Sequence, residues 1–418
     1  MANGNHNELV SIVHPLCCGL DVHKEMVSAC LITNGPLGAE SEIKEFSTFT
    51  DDLIKLRDWL IKADCPIVAM ESTGIYWRPV HNILEGYMEV MLVNARHIKN
   101  VPGRKTDIED SKWLAGLLRC GLVRGSFIPP KQVREWRDLT RLRRTHVESA
   151  ADYKRRTHKL FESANIKIDS VVSDLFGETG RNLMELLIDK GSEGSSAEVA
   201  RCARGKLKKK VTELHRAIQG YFTDHHRYIL ASLLKTIGTL EEEIEAISVR
   251  LRSVMIEHQG LVGRLMGIAG ISEVTARAIL AEIGPTLETF KSSAALASWS
   301  GLCPGNNESA GKRFSGKSPV RKNHLKTILI ESAWAAVKVK GSYYRDKYHR
   351  LKTRRGAKKA IVGIAHRLLK AIYHVTKHGV AFKDLGEDFL TRKNAARKLE
   401  NLRKHANQLG YGLVPKVA

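Results

Sequence analysis

Asp107 and Asp110 stand three residues apart in the run Gly103-Arg104-Lys105-Thr106-Asp107-Ile108-Glu109-Asp110. A helix capped by Thr106 or Asp107 would carry both carboxylates on one face, one turn apart. Trp113, Leu114, Leu117 and Leu118 follow at helical spacing and support that start. Paired carboxylates after a basic loop (Arg104, Lys105) suit a divalent cation near a phosphate, although acids also crowd the first turn of ordinary helices. Two more acids, Asp21 and Glu71, lie in or at the end of short apolar runs, where a charge is costly unless paired or metal-bound. The last candidate is Ser309, in the glycine-rich stretch Gly301 to Arg313 with Lys312 and Arg313 beside it. A serine hydroxyl becomes a useful nucleophile where cations stabilise its alkoxide and the transferring phosphoryl group. In isolation it is an ordinary loop serine, and Ser315 and Ser318 are its rivals.

The elements that must position these residues can be read in order. Residues 16–33 form a hairpin of two apolar strands around a polar turn at His23 to Glu25, with Asp21 inside the first strand. Glu42 to Thr50 is a third strand. Asp51 to Lys62 is an amphipathic helix offering Leu53, Ile54, Leu56, Trp59 and Leu60 to a core. Pro66 to Met70 is a short buried strand ending in Glu71, followed by a helix through Trp77 and Ile83 and a strand at Val90 to Val93. Three strands, helix, strand, helix, strand, helix, with acids on strands one and four and on the late helix, is the RNase H-like layout. Four carboxylates so arranged can hold two Mg²⁺ about 4 Å apart around a scissile phosphate.

Composition bounds the rest. With 418 residues, 43% apolar and 27% charged, the chain has room for two or three domains with real cores. No apolar run approaches bilayer length and the first residues are polar, so the expectation is a cytoplasmic protein without a membrane partner. The seven cysteines contain no Cys-x-x-Cys pair and read as reduced core thiols. The net charge of +22 is unevenly spread: residues 1–130 hold 13 Lys and Arg against 16 Asp and Glu, whereas residues 301–418 hold 27 against 7. An excess so concentrated predicts a polyanionic partner, most simply nucleic acid.

Beyond residue 130 the chain is helical. Val133 to Lys159 is a long Arg-rich helix with Leu139, Leu142, Val147 and Leu160 as its apolar stripe, and Tyr228 to His258 is a second with heptad-like spacing. They read as an antiparallel helical pair, an intermolecular coiled coil or an internal bundle helix. Residues 261–284 resemble a helix-hairpin-helix, whose backbone amides would meet phosphates, or plain helical packing. Lys317, Arg321 and Lys322 precede an apolar helix at Leu325 to Val337. Arg354, Arg355, Lys358 and Lys359 belong to a basic stretch with tyrosines, suited to backbone and stacked-base contacts. Residues 386–418 are a basic tail that adds electrostatic affinity.

Gly19-Leu20-Asp21-Val22-His23-Lys24, Met70-Glu71-Ser72-Thr73-Gly74, Lys105-Thr106-Asp107 with Asp110, and Pro304 to Lys312 together resemble the successive signatures of the DEDD-type insertion-sequence transposases, the bridge-RNA-guided serine recombinases. The resemblance runs from about Gly19 to about Gly379. It implies an α/β plus all-α chain: an RNase H-like (RuvC-like) domain over 1–130, a helical coiled-coil spacer over 131–260, a mainly helical transposase domain over 261–385 and a basic tail over 386–418. It further implies Asp21, Glu71, Asp107 and Asp110 as acids binding Mg²⁺, Ser309 as the nucleophile that joins DNA, and a guide RNA pairing with donor and target DNA. A homodimer or homotetramer, with the two halves of the site shared between protomers, is implied as well. Ser111 departs from the alanine common there, and Ala310-Gly311 replaces a commoner Ser/Gly pair. Two other readings stay open: a metal-dependent, junction-resolvase-like nuclease that uses water, and a non-catalytic nucleic-acid scaffold.

Overall fold

The computed structural model describes residues 12–35, 38–72, 74–94, 110–304, 307–309, 312–315 and 323–414; at residue 35 and in 307–309 and 312–315 it describes the backbone alone. The chain divides into two compact units, residues 1–128 and 129–418. The division coincides with the charge boundary, because residues 129–418 hold 54 Lys and Arg against 29 Asp and Glu.

In the first unit five strands, β1 (Cys17–Val22), β2 (Met26–Gly35), β3 (Gly38–Ser47), β4 (Ile67–Glu71) and β5 (Glu89–Val93), form a sheet of order β3-β2-β1-β4-β5. The β1–β2 and β2–β3 pairs are antiparallel; β1–β4 and β4–β5 are parallel. Because side chains alternate across a sheet, each strand feeds two cores. Cys18, Leu20, Val68 and Met70 pack under α1 (Thr50–Lys62) and α2 (Trp77–Leu84), whereas Cys17, Cys30, Ile67 and Ala69 pack under α3 (Asp110–Arg119). This mixed sheet, covered by helices on both faces, fits the RNase H-like expectation. Leu53, Leu56 and Leu60 fill the α1 side as expected, while Ile54 is 37% exposed and turns outward. The third strand starts four residues earlier than expected, since it pairs with β2 along its whole length.

Cys17, Cys18, Cys30 and Cys65 are buried in this unit, and all seven cysteines are free thiols. Burial, reinforced by the neighbouring thiols, pushes Cys17 up to about 12; burial also pushes Cys65 up to about 11. A thiol reagent near pH 8 should therefore modify at most Cys120, Cys202 and Cys303 quickly, reaching the other four only on unfolding. The folded chain keeps its protons where the unfolded chain loses them, so the first unit should lose stability as pH rises from about 9 towards 12. Thiol counting and thermal melts against pH check both.

Among the described residues the second unit is helical apart from one small hairpin. Its axis is an antiparallel helical pair, α4 (Lys131–Ser163) and α9 (Asp224–Val254): Arg143 Nε donates to Ser248 Oγ at 2.8 Å, and Lys154 Nζ lies 2.8 Å from a Glu241 oxygen about two turns nearer the α9 start. Between them the chain folds four short helices, α5 (Ile168–Val171), α6 (Glu178–Lys190), α7 (Ser196–Cys202) and α8 (Val211–Ile218), around a separate core from Leu160 and Phe161 to Leu230. The stripe expected on α4 is partly wrong. Leu142 and Val147 are exposed, and Val133, Trp136, Ala150, Leu160 and Phe161 carry the burial.

The rest of this unit comprises α10 (Gln259–Met266), α11 (Glu273–Ile283), α12 (Ser293–Trp299), α13 (His324–Ala336), α14 (Tyr343–Arg355), α15 (Ala357–His378) and α16 (Phe389–Gln408). The buried Glu282 of α11 accepts two 3.0 Å hydrogen bonds from Arg141 of α4, which ties this set to the long pair. The turn between α10 and α11 is pressed against α13. A Cβ at Gly270, where φ is +83°, would meet the Ser332 carbonyl oxygen at 2.4 Å, so the glycine there serves close packing. Ile361, Ile364, Leu368, Ile372 and Val375 form the buried face of α15, as their spacing predicts.

Candidate acidic site and serine hairpin

β1 and β4 run parallel, with Gly19 beside Ala69 and Leu20 beside Met70. Asp21 and Glu71 are the next residues on each, so they occupy the carboxyl ends of adjacent strands. By strand alternation both share the face of Cys17, Gly19, Ile67 and Ala69, the face that α3 covers. Asp21 is about one-fifth exposed, and one of its oxygens lies 3.0 Å from Nε2 of the largely exposed His23. Sequence reasoning missed that partner, although it stands only two residues away.

Asp110 opens α3, and what sets the height of that helix over the sheet is Gly19. A Cβ there would lie 2.2 Å from the Ser111 carbonyl oxygen and 2.5 Å from the Ala115 nitrogen, so the helix backbone rests directly on β1. Leu114, Leu117 and Leu118 hold it down; each full burial is worth roughly 1.5–3 kcal/mol. Ser111, buried beside Asp110, lies with its Oγ 3.1 Å from Ser28 Oγ, and Ser28 sits directly across the β1–β2 ladder from Asp21. Ser111 therefore links α3 to the strand facing Asp21. A glycine inside an otherwise apolar strand was the sequence signal for this approach.

Asp21, Glu71 and Asp110 are thus brought to one side of the sheet. Asp107, Arg104 and Lys105 lie outside the described residues, and among the described residues no three His, Cys, Asp or Glu side chains are grouped to grip an ion. The three side chains are all carboxylates, a type that suits a hard divalent cation.

In the second unit the serine stretch is a short hairpin rather than a loop. β6 (Asn307–Ser309) pairs antiparallel with β7 (Lys312–Ser315), with Ser309 opposite Lys312, Glu308 opposite Arg313 and a bulge between Asn307 and Glu308. Ser309 therefore closes a strand, next to a two-residue connection. Lys317, Arg321, Lys322 and Ser318 lie outside the described residues. Arg354 and Arg355 end α14, Lys358 and Lys359 begin α15, and all four are exposed on either side of Gly356, whose φ of +77° makes the bend. No helix of the described residues is long and apolar enough to cross a membrane.

Residues 18–166 match the transposase family DEDD_Tnp_IS110, and residues 262–349 match the Transposase IS116/IS110/IS902 family. Curated proteins show no match to the chain. The first match contains the strand ends with Asp21 and Glu71 and the helix with Asp110; the second contains the serine hairpin. Two family matches in this order, on a mixed sheet with its acids at neighbouring strand ends, place the chain among the IS110-type DEDD transposases.

Proposed function

We propose that this transposase cuts and rejoins DNA through a covalent serine intermediate. In this reading Ser309 Oγ attacks a backbone phosphorus, the P–O3′ bond breaks, and a 5′-phosphoserine and a free 3′-hydroxyl result. Attack of a 3′-hydroxyl on that phosphoserine restores the phosphodiester and frees the serine, so the bond energy is conserved and no nucleotide cofactor is needed. Asp21, Glu71, Asp107 and Asp110 would hold the divalent metal typical of DEDD transposases, Mg²⁺ in this proposal, which when bound supplies charge stabilisation to the phosphoryl oxygens. The chain's own part is to fix the acids: strand ends carry two, and α3, seated on Gly19, carries Asp110. Lys312 and Arg313 flank the serine. Lys317, Arg321 and Lys322 would contact backbone beside it, with Arg104 and Lys105 doing so next to the acids and Arg354, Arg355, Lys358 and Lys359 at the α14–α15 bend.

Donor and target DNA are the substrates and a guide RNA chooses them, as the family resemblance implies. Residues 131–260 would act as spacer, 261–385 as the transposase domain and 386–418 as the tail, in a homodimer or homotetramer whose protomers pair acids with serine. The observation that carries the reading is the placement of Asp21 and Glu71 at adjoining parallel strand ends beneath the helix of Asp110. The test incubates the protein with cognate DNA, RNA and Mg²⁺, denatures it and looks for protein attached to DNA. A covalent adduct is expected. Cleavage that leaves only free ends would favour the water-using nuclease and overturn the serine mechanism.

A further inference from the structure

Helices α14 and α16 each carry six Lys or Arg against one acid and flank a cleft of about 510 Å³. Its lining includes Arg350, Thr391, Asn394, Arg397, Lys398 and Asn401, all beyond residue 349, where the second family match ends. Arg350 is braced by both Asp346 oxygens at 2.9 Å and donates to Thr391 Oγ1 at 2.7 Å, so one guanidinium links the two helices. Apart from that bond and an edge-on contact between the Tyr343 and Phe389 rings at 5.9 Å, which hold the first turn of α16, little among the described residues fastens the helix. It buries no side chain, Leu399 and Leu402 are about half exposed, and the face it turns to the cleft is polar and cationic. Burial and then the nearby Arg367, Arg354 and Arg350 hold the Lys347 ammonium below its ordinary pKa, a sign of a neighbourhood short of negative charge.

Two like-charged helices side by side repel, and beyond the Tyr343–Phe389 contact at one end no apolar seam among the described residues offsets that. A polyanion in the cleft would reverse the sign. The lining contains no aromatic side chain, which removes base stacking as a means of recognition, and it presents guanidinium, ammonium and amide donors spaced along a helix face. We propose that this cleft seats the sugar–phosphate backbone of a nucleic-acid double helix, which then fastens α16 to α14. The inference rests on the reading of the protein as a nucleic-acid enzyme and adds a site to it.

The test uses the full chain. Binding of a DNA duplex and of an RNA hairpin with the same number of phosphates is measured across a salt series for wild type, Arg397→Ala/Lys398→Ala and Arg392→Ala/Arg403→Ala. The second pair removes equal charge from the opposite side of α16, and circular dichroism confirms that each variant folds. The first pair should lower the slope of log affinity against log salt by about 2 and weaken binding about tenfold near physiological salt. The control pair should change either by less than half as much. The nucleic acid that shows the larger change identifies the strand type seated there. Amide exchange over residues 389–408 should slow on binding in wild type but not in the first pair. Equal losses in both pairs, or an unchanged slope in the first, would overturn the cleft while leaving covalent trapping by wild type intact. A wild type that neither binds nor traps nucleic acid would sink both proposals.

Discussion

Ser309→Ala is expected to abolish the protein–DNA adduct altogether, and Asp21→Asn to slow its formation about a thousandfold. The two losses have different physical sources. Without the hydroxyl there is no atom to bond to phosphorus, so no residual adduct can form. Without one carboxylate the chemistry persists but loses stabilisation of a few kcal/mol on the transferring phosphoryl group, and each 1.4 kcal/mol is about tenfold in rate. Asparagine is nearly isosteric with aspartate, and among the described residues the side-chain partner of Asp21 is the exposed His23, so the sheet should survive the change. Adduct yield against time on a denaturing gel, with a DNA-binding control, checks both. Full-rate trapping by Asp21→Asn would remove the acids from the mechanism; trapping by Ser309→Ala would move the nucleophile to Ser315 or Ser318.

Gly19→Val should disable the first unit by geometry alone. At 2.2 and 2.5 Å from backbone atoms of α3, even a single Cβ cannot be absorbed by rotating a side chain, and the helix must lift from the sheet. Overpacking of a close-packed site commonly costs about 1–3 kcal/mol. Here the displaced element is the one that begins with Asp110, so activity should fall further than stability. Gly19→Ala should show the same ordering with a smaller loss. Melting temperature compared with adduct yield separates the two effects; a Gly19→Val protein with native melting and native trapping would show that the helix need not lie so low.

The order of strands and helices in the first unit was legible because alternation and short apolar runs carry it, and the parallel β1–β4 pairing follows from the intervening helix. Edges were less so. Ile54 and Leu142 sit at helical spacing yet face solvent, since periodicity marks a stripe without saying how wide the covering element is. The serine stretch read as a loop because small and polar residues fill it with glycine and proline among them, while the hairpin pairing depends on register that residue types alone do not specify. Asp21 and Glu71 were found from their costly positions in apolar strands. His23 was passed over because an exposed histidine in a turn carries no such signal. The α14–α16 cleft was invisible for a different reason: it arises from two basic helices more than thirty residues apart, and only their folding side by side creates it.

The boundary near residue 128 has a consequence for turnover. The unit bearing the acids is itself slightly anionic, so on balance it repels a phosphate chain unless cations are bound, while the excess of positive charge lies in the other unit. In the proposed mechanism, contacts remote from Ser309, such as those at the α14–α15 bend and in the α14–α16 cleft, would then set how fast rejoined DNA leaves. An enzyme built this way would hold tightly during the reaction and still let go, by loosening contacts that take no part in the chemistry.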